Sequence, residues 1–461
     1  MEFTRLNEKH VRDLMTMVPT ERFSTGESTL DLHSRDQSHH RPTRPDGVIW
    51  PIGKSEVSRI LGYANEHTIP VTPWGAGSSL EGNPIPVHGG LVLDFSLMNH
   101  IIDIREEDFQ ADVEPGVIYK DLNEKLRHKG LFFPPDPGAD ATIGGMIANN
   151  ASGTRTVRYG STKDHVLRLS VALANGEIID MGTRASKSSS GYDLIHLFVG
   201  SEGTLGIVLE ATVRLVGLPS EFSAGIATFP DLGAAGKAVF GILRGGLSPA
   251  TLELLDPKCV EVINRERGLG LKALPTLFME YHGSSEEQVS ELMEMARDIS
   301  SSEGCVDFRS GIGRAERDHI LGARHELGEM IFRAHPGYRV LSLDIAVPIT
   351  AYPEIISGAS HEVLERGLVG YTFSHAGDGN IHLLLAGEED DSCQWAVIDQ
   401  VSEKIVLKAL ALGGTATGEH GVGIGKRRFM EAEHGKALVW MKRIKALFDP
   451  KGILNPGKIF P

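Results

Sequence analysis

The sequence is poor in cysteine. Cys259, Cys305 and Cys393 are the only cysteines in 461 residues, they lie far apart, and no Cys-x-x-Cys pair occurs. This argues against a disulfide framework and against an iron–sulfur cluster held by cysteines. The low count suits a reducing compartment.

Long apolar runs and an excess of positive charge are also missing. No stretch approaches the ~18 apolar residues of a membrane span, because the longest one, 405–412, is interrupted by Lys408. The N-terminus contains Glu2 and Glu8 and no apolar core, which argues against a secretory signal or a transit peptide. The net charge of −15 argues against nucleic acid as the main partner, because phosphate binding needs a basic face. We expect a cytoplasmic protein and leave peripheral attachment to a membrane open.

The length predicts two or three domains, at roughly 100–200 residues each. Apolar spacing predicts a helix over 54–66 between two short strands, which is a small βαβ unit, and Asn175-Gly176 predicts a hairpin. After the turn at 217–220, strands alternate with helices, and this pattern predicts a sheet with helices on one side. The fold class is therefore α+β. The predicted divisions are a helical segment at 1–40 and further segments at 41–218, 219–417 and 418–461.

Histidines and a glutamate near the C-terminus form the most informative pattern. Residues 375–382 read His-Ala-Gly-Asp-Gly-Asn-Ile-His, and 418–421 read Gly-Glu-His-Gly. Two imidazoles and a carboxylate are a ligand set for a borderline divalent ion such as zinc or manganese. The sequence thus predicts a metal-assisted active site, in which one further histidine is available as a base.

Three glycine-rich stretches lie upstream. The first, 73–82, follows a strand and can form an anion-binding nest of backbone N–H groups, although a flexible turn is the plainer alternative. It is not a Rossmann fingerprint, because Leu80 stands where the third glycine belongs, and the chain has no P-loop. The second, 136–153, consists largely of small and amide residues, and the third, 200–208, places Glu202 between glycines. Together they predict an extended cofactor that contains a pyrophosphate.

These segments resemble a known family. Residues 73–79, 137–153 and 200–207, with the terminal Asn455-Pro-Gly-Lys, resemble the FAD-binding pattern of vanillyl-alcohol-oxidase type flavoproteins. The His375…His382 and 418–421 segments resemble the branch of FAD-linked 2-hydroxy-acid dehydrogenases. That branch includes cytochrome-type D-lactate dehydrogenases, the FAD subunit of glycolate oxidase and D-2-hydroxyglutarate dehydrogenases. The resemblance extends from about residue 40 to the end.

The resemblance implies an FAD-binding domain of two α+β subdomains at 41–218. It also implies an α+β cap domain with an antiparallel sheet at 219–417, and a C-terminal segment that returns to the FAD domain. The FAD is expected to be non-covalent. The expected cofactor-binding residues are Pro73, Trp74, Gly75, Ala76, Gly77, Ser78, Ser79, Pro137, Gly138, Thr142, Gly145, Asn149, Ser152, Gly153, Glu202, Gly203, Ile207 and Asn455.

A 2-hydroxy acid suits the predicted metal site, because its carboxylate and adjacent hydroxyl can chelate one divalent ion. Side chains of adjacent residues in an extended chain point in opposite directions, so Glu419 and His420 should not bind the same ion. We expect His375, His382 and Glu419 to hold the metal and His420 to take the hydroxyl proton, and the resemblance supports this division. Asn380 is expected to orient a ligand or to touch the substrate.

The substrate carboxylate needs a cation, and two arginines are candidates. An arginine can bind a carboxylate through two hydrogen bonds. Arg324 matches the substrate arginine of the family, whereas some relatives have lysine at the position of Arg339. Asp344 is expected to support these arginines rather than to react. A surface ion pair is the alternative for either arginine.

Two other functions remain open on the sequence alone. The first is a zinc-dependent hydrolase of a nucleotide-like substrate, and the second is a non-catalytic subunit that only holds FAD. With no iron–sulfur motif in the chain, the electrons should pass to a separate acceptor: a protein, a cytochrome, a quinone or oxygen. A homodimer and a complex with a partner subunit are both compatible with the sequence.

Overall fold

The computed structural model describes residues 2–461, except for the side chain of His325. The chain forms two compact units. The first contains the residues up to Ser152, Gly160–Leu218 and Glu419–Pro461, and the second contains Gly153–Tyr159 and Pro219–Gly418. Within residues 2–461, no helix is long and apolar enough to cross a membrane. The cysteines are free thiols.

The first unit is built on small sheets. A four-stranded sheet has the order β1-β2-β4-β3, in which β2, β4 and β3 are parallel. A five-stranded antiparallel sheet has the order β5-β6-β10-β8-β9, and β7 pairs with β11. The strands are β1 (Phe23–Ser24), β2 (Gly47–Ile49), β3 (Val71–Trp74), β4 (Leu91–Asp94), β5 (Ile101–Arg105), β6 (Gln110–Val113), β7 (Leu131–Phe132), β8 (Val166–Ala172), β9 (Ile178–Gly182), β10 (Ile207–Arg214) and β11 (Val216–Gly217).

Amphipathic spacing explains the main helix of this unit. Val57, Ile60, Leu61 and Ala64 recur at helical intervals, and all four are fully buried in a core that includes Leu91. The hairpin predicted at Asn175-Gly176 is confirmed, because β8 pairs antiparallel with β9 on either side of it. The helices up to residue 218 are α1 (Glu8–Leu14), α2 (Glu27–Leu32), α3 (Lys54–His67), α4 (Tyr119–Arg127), α5 (Ile143–Asn149), α6 (Thr156–Tyr159) and α7 (Ile195–Phe198), of which α6 belongs to the second unit.

The second unit is a seven-stranded antiparallel sheet with helices. Its order is β15-β12-β14-β13-β17-β18-β16. The strands are β12 (Glu221–Thr228), β13 (Thr251–Leu255), β14 (Thr276–Gly283), β15 (Asp307–Ile312), β16 (Tyr338–Ala346), β17 (Val369–His375) and β18 (Asn380–Glu388). The helices are α8 (Leu232–Arg244), α9 (Pro257–Arg267), α10 (Glu286–Ser302), α11 (Arg314–His325), α12 (Leu327–Ala334), α13 (Tyr352–Glu365) and α14 (Ser392–Ala411), and the first unit adds α15 (Met430–His434) and α16 (Ala437–Phe448).

Helices cover both faces of the large sheet. The predicted α+β class is confirmed, but the sequence pattern predicted helices on one side only. Helices α10, α13 and α14 lie against one face, where Met293, Val363 and Ile398 approach strand glycines. Helices α9, α11 and α12 share a core with the opposite face, on which Phe373 and Leu384 lie. The reason is visible in β18, where consecutive leucines at 383–385 are buried and therefore need apolar neighbours on both sides.

Candidate active site

The first unit contains a large cavity with walls of small residues. It encloses about 1360 Å³ of empty space, including its open mouth. The predicted cofactor residues that line it are Pro73, Trp74, Gly75, Ala76, Gly77, Ser78, Ser79, Pro137, Thr142, Gly145, Asn149, Ser152, Glu202, Gly203, Ile207 and Asn455.

Gly138 and Gly153 differ from the rest of that set. Neither is among the residues that line the cavity, and Gly153 belongs to the second unit.

The other loops fit a dinucleotide, because glycine, alanine and serine leave backbone N–H groups accessible to a ligand. Thr142 shapes one wall, since its hydroxyl caps α5 by accepting a hydrogen bond from the N–H of Gly145 at 3.2 Å.

The segment that carries Glu419 and His420 forms part of the cavity wall. Both residues line the cavity. The hydroxyl of Ser152 donates to Oε2 of Glu419 at 2.7 Å, and the amide of Asn149 donates to the carbonyl oxygen of His420 at 3.3 Å. The expected base is therefore held by residues that line the same cavity.

Glu202 makes contacts that the sequence did not suggest. Its carboxylate accepts hydrogen bonds from the backbone N–H groups of Val422 at 2.6 Å and Gly423 at 2.9 Å, and from the amide of Asn83 at 2.7 Å. Burial raises the pKa of this carboxyl, and the backbone hydrogen bonds oppose that effect. Burial also lowers the pKa of Lys458 to about 7, against the attraction of Glu202.

One face of the large sheet in the second unit carries four polar residues on neighbouring strands. Glu253 lies on β13, His375 on β17, His382 on β18 and Asp344 on β16. In the sheet register, Glu253 is opposite His375 and Asp344 is opposite His382. The two imidazole rings are 5.0 Å apart between centroids. The structure thus brings both predicted metal-ligand histidines together.

The turn between the histidines depends on a glycine. Gly379 has φ of +70°, and a Cβ there would collide with the carbonyl oxygen of Val347. Only glycine adopts this conformation without strain and leaves room for the neighbouring backbone. His375 ends one strand and Asn380 begins the next, so the tight turn fixes both strand ends.

Glu253 is a member of the site that sequence reasoning missed. Its Oε1 lies 2.7 Å from Nδ1 of His375, and its Oε2 lies 2.6 Å from a guanidinium nitrogen of Arg324. Arg324 is 6% exposed, and its guanidinium stacks over the ring of Phe373 at 4.8 Å. The sequence signal is a lone acid inside the apolar strand Thr-Leu-Glu-Leu-Leu, because a buried charge needs a partner.

Arg324 also has an unused donor. Its Nε–H is buried and has no hydrogen-bond partner among the described residues. Buried donors are rarely left unpaired, so this one marks a position for an acceptor such as a carboxylate.

We expected Asp344 to support the arginines, and its hydrogen bonds in the structure come from other residues. It accepts hydrogen bonds from the amide of Asn380 at 2.6 Å and from the hydroxyl of Thr417 at 2.8 Å. Its Oδ1 lies 3.6 Å from Nδ1 of His382. Asn380 also donates to the carbonyl oxygen of Ile345 at 2.8 Å. Asn380 therefore fixes the carboxylate beside His382.

The structure does not bring Arg339 to this group. It lies five residues before Asp344 on the same strand, so its side chain points to the opposite face. There its guanidinium stacks over the ring of Trp395 on α14, at 4.5 Å.

Comparisons with known proteins give the family. Residues 45–182 match the family model "FAD binding domain", and residues 218–459 match "FAD linked oxidases, C-terminal domain". The chain belongs to the FAD-linked oxidases. It is a flavin-dependent oxidoreductase, and the suspected family is confirmed.

Two curated relatives of this FAD-linked oxidase match over nearly their whole length. A "Probable D-lactate dehydrogenase, mitochondrial" from Danio rerio is 39% identical over 98% of this chain and 92% of its own. A "Glycolate oxidase subunit GlcD" from Bacillus subtilis is 38% identical over 98% of this chain and 97% of its own. The zinc-hydrolase alternative has no support among these relatives.

Solved structures show the same fold at low sequence identity. A 4-ethylphenol oxidase from Gulosibacter chungangensis superposes with a TM-score of 0.80 at 18% identity, over 99% of this chain and 98% of its own. An alkyldihydroxyacetonephosphate synthase superposes with a TM-score of 0.75 at 17% identity, over 99% and 87% of the two chains. At such identities the likeness concerns the fold of this FAD-linked oxidase alone.

Proposed function

We propose that this FAD-linked oxidase converts a D-2-hydroxy acid of the lactate, glycolate or 2-hydroxyglutarate type to the 2-oxo acid. Electrons would leave to a separate acceptor: a protein, a cytochrome or a quinone. The observation that carries the proposal is the sheet face on which His375 and His382 adjoin Glu253 and Arg324. This set combines metal-ligand histidines with a cation suited to a carboxylate. The names of the Danio rerio and Bacillus subtilis relatives point to the same substrate class.

The FAD would be held without a covalent bond by the cavity-lining residues of the first unit. When bound, FAD supplies an acceptor for the hydride that leaves the substrate carbon. We propose that 41–218 and 418–461 form the FAD domain and that 219–417 form the substrate domain. The small side chains at 75–79 and 142–152 support this assignment, because they let a large planar ligand approach the backbone.

His375 and His382 are proposed as ligands of zinc or manganese, together with Glu419. Oε1 of Glu253 accepts a hydrogen bond from Nδ1–H of His375. This fixes the tautomer in which Nε2 carries the lone pair that would bind the metal. Oδ1 of Asp344 lies 3.6 Å from Nδ1 of His382, which is near enough for a charge interaction and too far for a hydrogen bond. A divalent ion would supply positive charge that lowers the pKa of the substrate hydroxyl.

The remaining steps belong to side chains of this chain. His420 would take the hydroxyl proton on its imidazole, since it lines the proposed flavin cavity. Arg324 would bind the substrate carboxylate, because its buried Nε–H needs an acceptor. Asn380 would act through Asp344 rather than on the substrate.

Anaerobic mixing with a panel of acids tests this proposal. D-lactate, glycolate or D-2-hydroxyglutarate should bleach the visible flavin absorbance, and L-lactate should not. Dithionite serves as the control that the flavin is reducible. If dithionite bleaches the protein and no 2-hydroxy acid does, the proposed substrate class is wrong.

The cofactor and metal have separate tests. Acid precipitation should release the yellow colour into the supernatant, whereas colour in the pellet would indicate covalent FAD. Dialysis against a chelator should remove zinc or manganese and abolish bleaching by substrate while the FAD remains. Bleaching that persists in metal-free protein would contradict the metal assignment.

A further inference from the structure

We propose that Glu202 is a positioning residue for His420. Its carboxylate holds the backbone directly after His420 and thereby sets where the imidazole stands in the cavity wall. The inference rests on the proposed role of His420 as the base. Glu202 also lines the cavity, as expected for a residue near the cofactor.

The contacts of the carboxylate carry the argument. One oxygen accepts from the N–H of Val422, and the other accepts from the N–H of Gly423 and from Asn83. Hydrogen bonds to an ionised carboxylate are stronger than neutral ones. Glu202 is 4% exposed, so water does not compete for these donors. Both oxygens are thus directed at the C-terminal segment.

Glu202 is itself held in an uncommon backbone conformation. Its φ is +53°, in the left-handed region that residues other than glycine seldom adopt. Its N–H donates to the carbonyl oxygen of Ala148 at 2.8 Å, and its own carbonyl oxygen accepts from the amide of Asn455 at 2.7 Å. Strain of this kind persists where surrounding contacts fix it, and it clusters at functional sites.

The segment after His420 is shaped to fit this carboxylate. Gly421 has φ of +82°, and a Cβ there would lie 3.0 Å from Oε1 of Glu202 and 2.7 Å from the amide of Asn83. Gly423 has φ of +48°, and a Cβ there would collide with the carbonyl oxygen of Glu81. Glycine at both positions is what lets the backbone come within hydrogen-bonding distance of Glu202.

The other side of His420 is anchored as well. Asn149 donates to the His420 carbonyl oxygen and Ser152 donates to Glu419. Asn149, Ser152 and Glu202 all line the proposed flavin cavity. A misplaced base loses proton-transfer efficiency even when it is chemically intact, because the proton must move over hydrogen-bond distance. Glu202 should therefore affect the rate of flavin reduction more than the amount of FAD bound.

Glu202→Gln in the holoenzyme tests this. The amide has one accepting oxygen, so its NH₂ group would face a backbone N–H that has no acceptor. We expect normal FAD content, measured as the ratio of visible to ultraviolet absorbance. We expect anaerobic reduction by D-lactate to slow by about 10–100-fold, as for other residues that orient an active group. The loss should appear in the limiting rate of reduction at saturating D-lactate and not in the D-lactate concentration that gives half of that rate.

A matched control separates positioning from general destabilisation. Asp112 is a buried carboxylate of the same unit that accepts from Thr212 and pairs with Arg105, and it does not line the cavity. Asp112→Asn should leave the limiting reduction rate per bound FAD unchanged. If Glu202→Gln instead loses FAD and reduces normally once reloaded, Glu202 is a cofactor residue and the inference is overturned. An unchanged limiting rate would overturn it as well.

The variant His420→Asn distinguishes a failure of this inference from a failure of the proposed function. Rapid flavin reduction in His420→Asn would refute the base assignment itself. If His420→Asn is slow and Glu202→Gln matches the wild type, only the positioning role fails. If Glu202 acts through His420, the double variant should be no slower than His420→Asn alone. A further drop in the double variant would contradict the inference.

Discussion

Nδ1 of His375 lies 2.7 Å from Oε1 of Glu253, and the same carboxylate contacts Arg324 through its other oxygen. Glu253 is fully buried, so it links a proposed metal ligand to a proposed substrate cation without exposure to water. Removal of its charge should affect both functions at once. Separate substitutions of Glu253 and Arg324 distinguish the two contributions.

Glu253→Gln should weaken metal binding by about 10–100-fold, the usual effect of changing a residue that orients a metal-bound histidine. The amide can present its NH₂ group to Nδ1 of His375, which favours the tautomer with the proton on Nε2. Metal content should be measured by atomic emission after dialysis against graded chelator, with FAD content as the internal control. Wild-type metal retention in Glu253→Gln would contradict the assignment of His375.

Arg324→Met should lower kcat/KM for the 2-hydroxy acid. Hydrogen bonds to charged groups contribute about 1.5–3 kcal/mol, which corresponds to roughly 10–150-fold. Arg339→Met is the matched control, because Arg339 stacks on Trp395 at the opposite face of the sheet. Steady-state kinetics with an artificial electron acceptor would measure both variants. A larger effect from Arg339→Met than from Arg324→Met would reverse our assignment.

The parts of the site that could be predicted from the sequence are those whose residues are close together along the chain. The loops at 73–79 and 137–152 could be recognised because a dinucleotide needs consecutive small residues. The tight turn between His375 and His382 could be recognised because the histidines and glycines are close in sequence. These features require no knowledge of long-range pairing.

The remainder depends on strand register and on distant partners. Glu253 meets His375 across 122 residues, and the local sequence around Glu253 predicts only a buried strand. Glu202 meets Val422 across 220 residues, and its flanking glycines predict only its place in the cavity wall. Arg339 was misplaced because its position relative to Asp344 matters only once the face of β16 is known.

A buried acid in the second unit should make stability depend on pH. Burial alone would raise the pKa of Glu280. The hydrogen bond with His282 and the charge of Arg317 lower the pKa by more than burial raises it, and the resulting pKa is about 2. A carboxyl whose folded pKa lies below its unfolded value of 4.5 stabilises the protein above pH 4.5. That contribution is lost as the pH falls towards 2. It amounts to about 3 kcal/mol at neutral pH, at 1.36 kcal/mol per unit.

Glu280→Gln should therefore unfold at lower urea concentration than the wild type at pH 7, and the difference should shrink between pH 5 and pH 3. Urea melts followed by circular dichroism at several pH values would show this convergence. A difference that stays constant with pH would mean that the ionisation of Glu280 is not the cause.

Gly379 and Gly358 should respond in opposite ways to replacement by alanine. Gly379 has φ of +70° and faces the Val347 carbonyl oxygen, so Gly379→Ala should cost about 1–3 kcal/mol through backbone strain and collision. Gly358 lies exposed within α13, where an added Cβ would meet open space, so Gly358→Ala should stabilise the protein by about 0.5–1 kcal/mol. Thermal melts would measure both changes. Because Gly379 joins the strands that carry His375 and His382, Gly379→Ala should also reduce metal content, whereas Gly358→Ala should not.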